Sequence, residues 1–335
     1  MKYRRLGKTD LKVSEIGFGC QSIAGGLFYK DDGESLKTLE MAFDFGINFF
    51  DTSDHYSQGE SEILIGRAFK RKRDKVIIGT KTGTLYKPAA DFLLKQRSLI
   101  RPVSRYIRSM KIPLHLFRAK QKHSDFSEKY LINALEKSLK RLQTDYIDLF
   151  QLHKPSKAVI ESGEIIYTME KLKAQGKIRY YGISCAQNED AFISFNFPGI
   201  SSLQLTINLL DKKYIDEIFI HALANNVGII GRNPRAHGHL TGAFGDIMGE
   251  TYARNKKEFT EKKERAKQFQ FLVKPGRTLA QAALQYVLNI GGISTVIPRA
   301  VNRRQLLENI NCLKSPPLSF EEMGKIDFVD NQRVY

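Results

Sequence analysis

The feature that most constrains this chain is an alternation. Short apolar runs suited to strands take turns with longer segments of helical periodicity. The pairs begin with "VSEIGFGC" and "DGESLKTLEMAFDFG", then "INFFDTS" and "ESEILIGRAFK", then "KVIIGTK" and "SEKYLINALEKSLKRL". They continue with "YIDLFQLH" and "IYTMEKLKAQG", "IRYYGIS" and "NEDAFISF", "SLQLTIN" and "DKKYIDEIFIHALANNVG". "GIIGRNP" with "TLAQAALQYVLNIGG", and "STVIP" with "RRQLLENINCL", complete the series. In the first helical segment Leu36, Leu39 and Phe43 recur at helical spacing, and Gly46 supplies a stop. In the third, Ser127 is a cap, and Leu131, Leu135, Leu139 and Leu142 form one stripe.

Alternating βα units build parallel sheets. Eight of them suit a closed (β/α)8 TIM barrel, with an open doubly wound sheet as the competing architecture. A polar turn, "GKTD", between two strand-like pieces predicts an N-terminal β-hairpin ahead of the barrel. Long loops follow strand 3, about 85–125, and strand 7, about 238–276; loops of that length in a compact fold usually carry function. The 335 residues read as a single barrel domain, 1–335.

Composition narrows the setting. The cysteines are three, Cys20, Cys185 and Cys312, too far apart for a CxxC pair or a structural zinc site. No metal is expected. "MKYRRLGKTD" offers no apolar core for a signal peptide. No apolar run approaches the roughly 20 residues of a membrane helix. A soluble, cytoplasmic protein without membrane insertion is therefore expected. The 53 Lys and Arg against 36 Asp and Glu give a net charge of +17, which suits anionic partners. Nucleic acid ranks last among these, since no recognition motif accompanies the charge.

Barrel enzymes place their chemistry where strands end. The strand ends here collect Asp51, Tyr56 just beyond it, Lys81 and His153. Each residue alone has a plain reading: a capping carboxylate, a solvated lysine, a loop histidine. Their concentration on successive strands favours a common site. Asp54 and His55, between Asp51 and Tyr56, read as bystanders.

At these residues the sequence becomes recognisable. It resembles the aldo-keto reductases over nearly its whole length. "FFDTSDHYSQGESEILIGRAF" is similar to the family's Asp–Tyr signature, "LQTDYIDLFQLHKP" to its histidine strand, and "STVIPRAVNRRQLLENI" to its cofactor-binding end. The resemblance implies reversible hydride transfer between NADPH and a small-molecule carbonyl substrate, with Asp51, Tyr56, Lys81 and His153 as catalytic tetrad. It places the nicotinamide carboxamide near Ser184 and Gln204 and the pyrophosphate under Pro234, Gly238, Leu240 and Gly242. Gln305, Glu308 and Asn309 match adenine positions, and Arg299 a position for the 2′-phosphate. The physics agrees with the tetrad. Carbonyl reduction needs a proton donor, and an ammonium such as Lys81 is expected to lower the phenol pKa of Tyr56 from about 10. Asp51 would orient Lys81, and His153 would position the carbonyl by a hydrogen bond.

The cofactor would not use a dinucleotide glycine motif, because "GFGCQS" has Gly17 and Gly19 but Ser22 in the third place. Two departures stand out. Cys185 occupies a position where relatives carry Asn, and reads either as a redox-sensitive thiol or as a small buried one. Arg232 occupies a position where many carry Tyr, with Arg235 two residues beyond the following Asn233. A guanidinium can stack on a ring as tyrosine does. Residues Lys87 to Lys122 are rich in Lys and Arg. They read as an electrostatic funnel for an anionic substrate or as a solvated face. An NADPH-binding regulatory or channel-associated subunit of the same fold, without turnover, is the alternative function. The sequence assigns no oligomeric state.

Overall fold

The computed structural model describes residues 1–24, 32–86, 122–241 and 256–331. Strands β1 (Tyr3–Arg5) and β2 (Lys12–Ser14) pair antiparallel, Tyr3 opposite Ser14, and form the hairpin. Eight strands follow in one parallel sheet. They are β3 (Phe18–Gly19), β4 (Phe49–Asp51), β5 (Ile77–Thr82), β8 (Ile147–His153), β9 (Ile178–Ser184), β10 (Ser202–Thr206), β11 (Gly228–Arg232) and β12 (Ile293–Ile297), neighbours in that order. Between β5 and β8 an antiparallel ribbon, β6 (Thr84–Tyr86) with β7 (Lys122–Ser124), stands outside the sheet.

The sheet closes on itself. Gly17 N–H donates to Val296 O at 2.8 Å, Val296 N–H to Glu15 O at 3.0 Å, and Gly19 N–H to Pro298 O at 3.1 Å. These bonds join the first barrel strand to the last and decide for the barrel over the open sheet. They also explain the glycines of "GFGCQS". A Cβ at Gly17 would sit 2.9 Å from the Phe49 ring, and one at Gly19 2.9 Å from Ile297 O. Their small size serves strand approach.

The helices lie where the periodicity puts them. Ser127 caps the helix Glu128–Leu142 by accepting from Tyr130 N, and Leu131, Leu135, Leu139 and Leu142 are buried. Burial of such a side chain stabilises by about 1.5–3 kcal/mol. Gly46, at φ +90, turns the chain after the helix Asp32–Asp44. Among the described residues the β6–β7 ribbon, the short helix Lys157–Glu161 and the helices Lys256–Lys267 and Phe320–Asn331 escape the alternation. Of the last two, one lies inside the seventh unit ahead of its helix Leu279–Asn289 and the other follows the eighth, and both have weak or polar patterns. Of the expected long loops, residues 87–121 and 242–255 lie outside the described residues.

Two cores result. The larger packs outward strand residues such as Phe50, Ile78, Phe150 and Ile183 under the helices. The smaller fills the lower lumen with Phe49, Leu149, Ile230 and Ile297, and the hairpin residues Leu6, Leu11 and Val13 plug it from below. Side chains alternate across a strand with period two. Phe49 pointing inward therefore puts Asp51 inward, Leu149 puts Gln151 and His153 inward, and Ile230 puts Arg232 inward. Ile77 packs on the same lower core and sets Lys81 inward; Tyr180 does so for Ser184. The apolar floor thus fixes which polar residues face the upper lumen.

Candidate active site

Lys81 is the centre of the upper lumen. Its Nζ donates to Asp51 Oδ1 at 2.7 Å, to Asp51 Oδ2 at 2.8 Å and to Thr52 O at 2.7 Å. Both side chains are buried. Burial favours the neutral amine, and the charges of Asp51 and Tyr56 with their hydrogen bonds outweigh it. The Lys81 pKa is raised, and the ammonium is held.

Tyr56 opens the short turn after β4. Lys81 Nζ lies 5.1 Å from its ring centroid. The His153 ring stands edge-on to the Tyr56 ring, centroids 6.0 Å apart. The phenol pKa departs from the sequence expectation: it is raised from its ordinary value. Burial is the largest cause. Lys81 and Arg232 pull it down, and Asp51 pushes it up. The ammonium works in the expected direction and does not prevail, because the low-polarity surroundings penalise a phenolate more than one neighbouring cation rewards it.

His153 is buried at the end of β8, and burial followed by the charge of Lys81 drives its pKa well below the ordinary value. It is a neutral imidazole near neutrality. Its Nδ1 lies 3.2 Å from Ser53 Oγ, and its backbone oxygen accepts from Thr84 Oγ1 at 3.1 Å.

Ser184 and Gln204 form a second row. Ser184 pairs with His153 across β8 and β9, and Gln204 with Ser184 across β9 and β10. Ser184 Oγ donates to Gln204 Oε1 at 3.1 Å, and Gln204 Nε2 donates to Asp51 Oδ1 at 2.7 Å. The sequence did not point to this link between the expected carboxamide contact and the Lys81–Asp51 pair. Gln151, whose Nε2 is 3.5 Å from Asp51 Oδ1, likewise went unnoticed. Its signal was present: it is the inward residue between Leu149 and His153.

Arg232 ends β11 with Nη2 donating to Cys185 O at 2.8 Å, while its buried Nε has no partner among the described residues. Cys185 is buried and its thiol is pushed up to about 12, chiefly by burial, which makes it the inert core thiol of the two readings.

The remaining expected cofactor residues cluster past β11 and β12. Pro234 and Leu240 are buried, and Gly238 lies in the turn between them. Arg235 Nη2 donates to Arg299 O at 2.6 Å, and Asn309 Nδ2 donates to the same oxygen at 3.2 Å. Arg299 Nη1 donates to Gln21 Oε1 at 3.3 Å, and Gln305 Oε1 accepts from Val301 N at 3.0 Å. Glu308 Oε1 lies 3.5 Å from Thr278 Oγ1. Gly242 lies outside the described residues. Asp54 is enclosed by the elements around it. Its Oδ2 accepts from Thr82 Oγ1 at 2.6 Å and from Tyr130 OH at 3.3 Å.

A buried ammonium beside a phenol and a neutral imidazole, at the mouth of a closed barrel, is suited to moving one proton to or from a polar bond. Comparison with known proteins agrees. The Aldo/keto reductase family profile matches residues 15–331. The chain is 29% identical over 344 aligned residues to YqkF of Bacillus subtilis, named an uncharacterized oxidoreductase, covering all of this chain and 98% of that one. It is similar to the holo form of an aldo-keto reductase from Bacillus halodurans, at 29% identity and a TM-score of 0.76, covering 98% and 96% of the two chains. An aldo/keto reductase from Klebsiella pneumoniae, solved with NADP and acetate, shares the fold at 22% identity and a TM-score of 0.69, with 98% and 95% covered. The chain belongs to the aldo/keto reductase family. Membership makes it an oxidoreductase of that family.

Proposed function

We propose that this protein reduces an aldehyde, ketone or keto-sugar carbonyl to an alcohol, with Tyr56, Lys81, Asp51 and His153 as its catalytic residues. The observation that carries the reading is the Lys81 ammonium, held by Asp51 and Thr52 O beneath the Tyr56 ring and beside His153. Tyr56 gives the proton to the carbonyl oxygen. Lys81 stays charged and offsets the phenolate that this leaves. Asp51 holds Lys81 in place. Neutral His153 can position the oxygen with one N–H without competing as an acid.

NADPH supplies the hydride when bound. The residues present fit it. Arg232 Nε and Asn309 Oδ1 are buried polar atoms without partners among the described residues, at positions matched to the nicotinamide and adenine ends. Ser184, Gln204 and Arg232 would hold the nicotinamide. Pro234, Arg235, Gly238, Leu240 and Gly242 would cover the pyrophosphate, and Gln305, Glu308 and Asn309 the adenine. Arg299 would take the 2′-phosphate.

An anionic substrate is part of the proposal. It is supported by the basic composition of residues 87–122 and by the Arg232 guanidinium inside the mouth. The cytoplasm is the proposed location, since three free, buried cysteines suit a reducing compartment. The test is NADPH oxidation against a panel of neutral and anionic aldehydes, ketones and keto-sugars at rising ionic strength. Turnover is expected, with kcat/KM falling steeply with salt for anionic members alone. NADPH binding without any turnover would support the regulatory-subunit alternative, and equal salt responses would remove the anionic preference.

A further inference from the structure

Two polar groups beside the proposed tetrad have no role in that chemistry, the Ser53 hydroxyl and the Asp54 carboxyl. Ser53 is buried. Its Oγ lies 2.9 Å from Lys81 O, 3.2 Å from His153 Nδ1 and 3.3 Å from Asp54 Oδ1. It also accepts the His55 backbone N–H at 3.2 Å. One hydroxyl proton thus has three acceptors in reach.

The choice matters for His153. A neutral imidazole carries a single N–H, and the partner of one ring nitrogen decides which nitrogen carries it. If Ser53 donates to Nδ1, the ring proton sits on Nε2, which can donate to a carbonyl oxygen. If the hydroxyl points elsewhere, Nδ1 faces a Ser53 lone pair and takes the proton. Nε2 then presents a lone pair to the carbonyl oxygen, which repels it.

Of the two rival acceptors, Lys81 O accepts the Asp54 N–H at 3.1 Å and keeps a second lone pair toward Ser53 at every pH, so only Asp54 can shift the balance as pH changes. Asp54 competes strongly only as a carboxylate, because charged acceptors make the stronger bonds. Thr82 and Tyr130 both occupy its Oδ2, which leaves Oδ1 toward Ser53.

We propose that Ser53 is a positioning residue that sets the ring tautomer of His153, and that Asp54 switches it. A protonated Asp54 leaves the Ser53 hydroxyl to His153 Nδ1, and an ionised Asp54 captures that hydroxyl and removes Nε2 as a donor. The imidazole keeps one N–H in both states, exchanged between its nitrogens through solvent. The proton lost on switching is that of Asp54. The catalytic consequence rests on the carbonyl-reductase reading above.

The groups around Asp54 come from three elements. Glu62 lies on the helix Glu60–Phe69, Arg141 and Tyr130 on the helix Glu128–Leu142, and Thr82 on β5. Burial and then Glu62 push Asp54 up to about 7, while Thr82, Arg141 and Ser53 pull it down. The switch therefore works near neutrality: Asp54 is protonated below that value and ionised above it. Tyr56 is displaced upward and His153 downward, so neither titrates in this window. The His55 ring lies 6.0 Å from that of His153.

The test combines histidine ¹⁵N NMR of the full-length protein without cofactor and the pH profile of kcat. In the wild type His153 is expected as the Nε2–H tautomer below the Asp54 value and as Nδ1–H above it. Asp54→Asn should make the tautomer independent of pH. Ser53→Ala should uncouple it from pH as well, and Ser53→Thr should restore the coupling. Carbonyl-reduction kcat should fall about tenfold or more along a limb near 7 as pH rises, since one positioned donor is lost. The ratio of kcat on the two sides of that limb should approach one in Asp54→Asn. The same tautomer and pH response in wild type and Ser53→Ala would overturn the role of Ser53. A limb that survives Asp54→Asn would assign the titration to another group and overturn the switch. If the wild type reduces no carbonyl, the reductase reading fails, and the tautomer spectra still decide the Ser53 proposal.

Discussion

The floor and the mouth of this barrel are built by the same strands, with side chains of the same parity, from opposite materials. Phe49, Leu149 and Ile230 fill the floor, and Asp51, Gln151 and Arg232, two residues further along each strand, line the mouth. The floor is stabilised by transfer of apolar area from water, about 25 cal/mol per Å². The mouth bears a cost, since a buried ion loses several kcal/mol of hydration before its partners offset any of it. Lys81 recovers much of that through three acceptors, and Asp51 through Lys81 and Gln204. Packing alone would have been better served by continuing the floor upward. The step from apolar to polar or ionic within two residues, repeated on three strands, is therefore a cost that the proposed chemistry would account for.

This contrast can be broken at either layer. The largest expected effect is at the mouth. Tyr56→Phe keeps the ring and removes the proposed proton donor, and should lower kcat for carbonyl reduction by about 10²-fold or more with little change in NADPH affinity. Stopped-flow single-turnover kinetics with cofactor titration check both halves, and near wild-type turnover would end the tetrad assignment. The next effect is at the cofactor end. Arg299→Ala should weaken NADPH binding by about tenfold to a hundredfold, the worth of hydrogen bonds to a charged group at about 1.5–3 kcal/mol. NADH binding should hardly change, and equal losses measured by fluorescence titration would reject the 2′-phosphate role.

The same contrast explains what could be read from the sequence. Periodicity decides elements, so the eight βα units and the hairpin were legible, and strand ends directed attention to Asp51, Lys81 and His153. The β6–β7 ribbon was hidden because Thr84–Tyr86 continues the third strand with only Gly83 between. The helix Lys256–Lys267 was hidden because its composition is mostly charged and no apolar stripe marks it. Within the site, residue types gave roles, but directions of influence needed the fold. The ammonium expected beside Tyr56, Lys81, suggested a lowered pKa, whereas burial, a property of the assembled lumen, decides the sign. The Gln204–Asp51 bond joins residues 153 apart in the chain and has no local signal. Asp54 read as a bystander because its partners Thr82 and Tyr130 lie 28 and 76 residues away in the chain.

The smallest expected effect is at the floor, and it tests whether the two layers are independent. Ile230 is buried in the lower core two residues before Arg232 on β11. Ile230→Val deletes one methylene and leaves a β-branched strand residue in place. The loss should be about 0.5–1.5 kcal/mol of stability, from transfer and residual cavity together. Urea denaturation should show a lower midpoint. Because the floor acts only by packing, kcat and the pH profile should not change, and NADPH affinity should stay at the wild-type value. If instead the substitution alters NADPH binding while stability moves as expected, the shift of Arg232 above it is transmitted along the strand. The floor would then be part of the cofactor site's geometry and not merely its support.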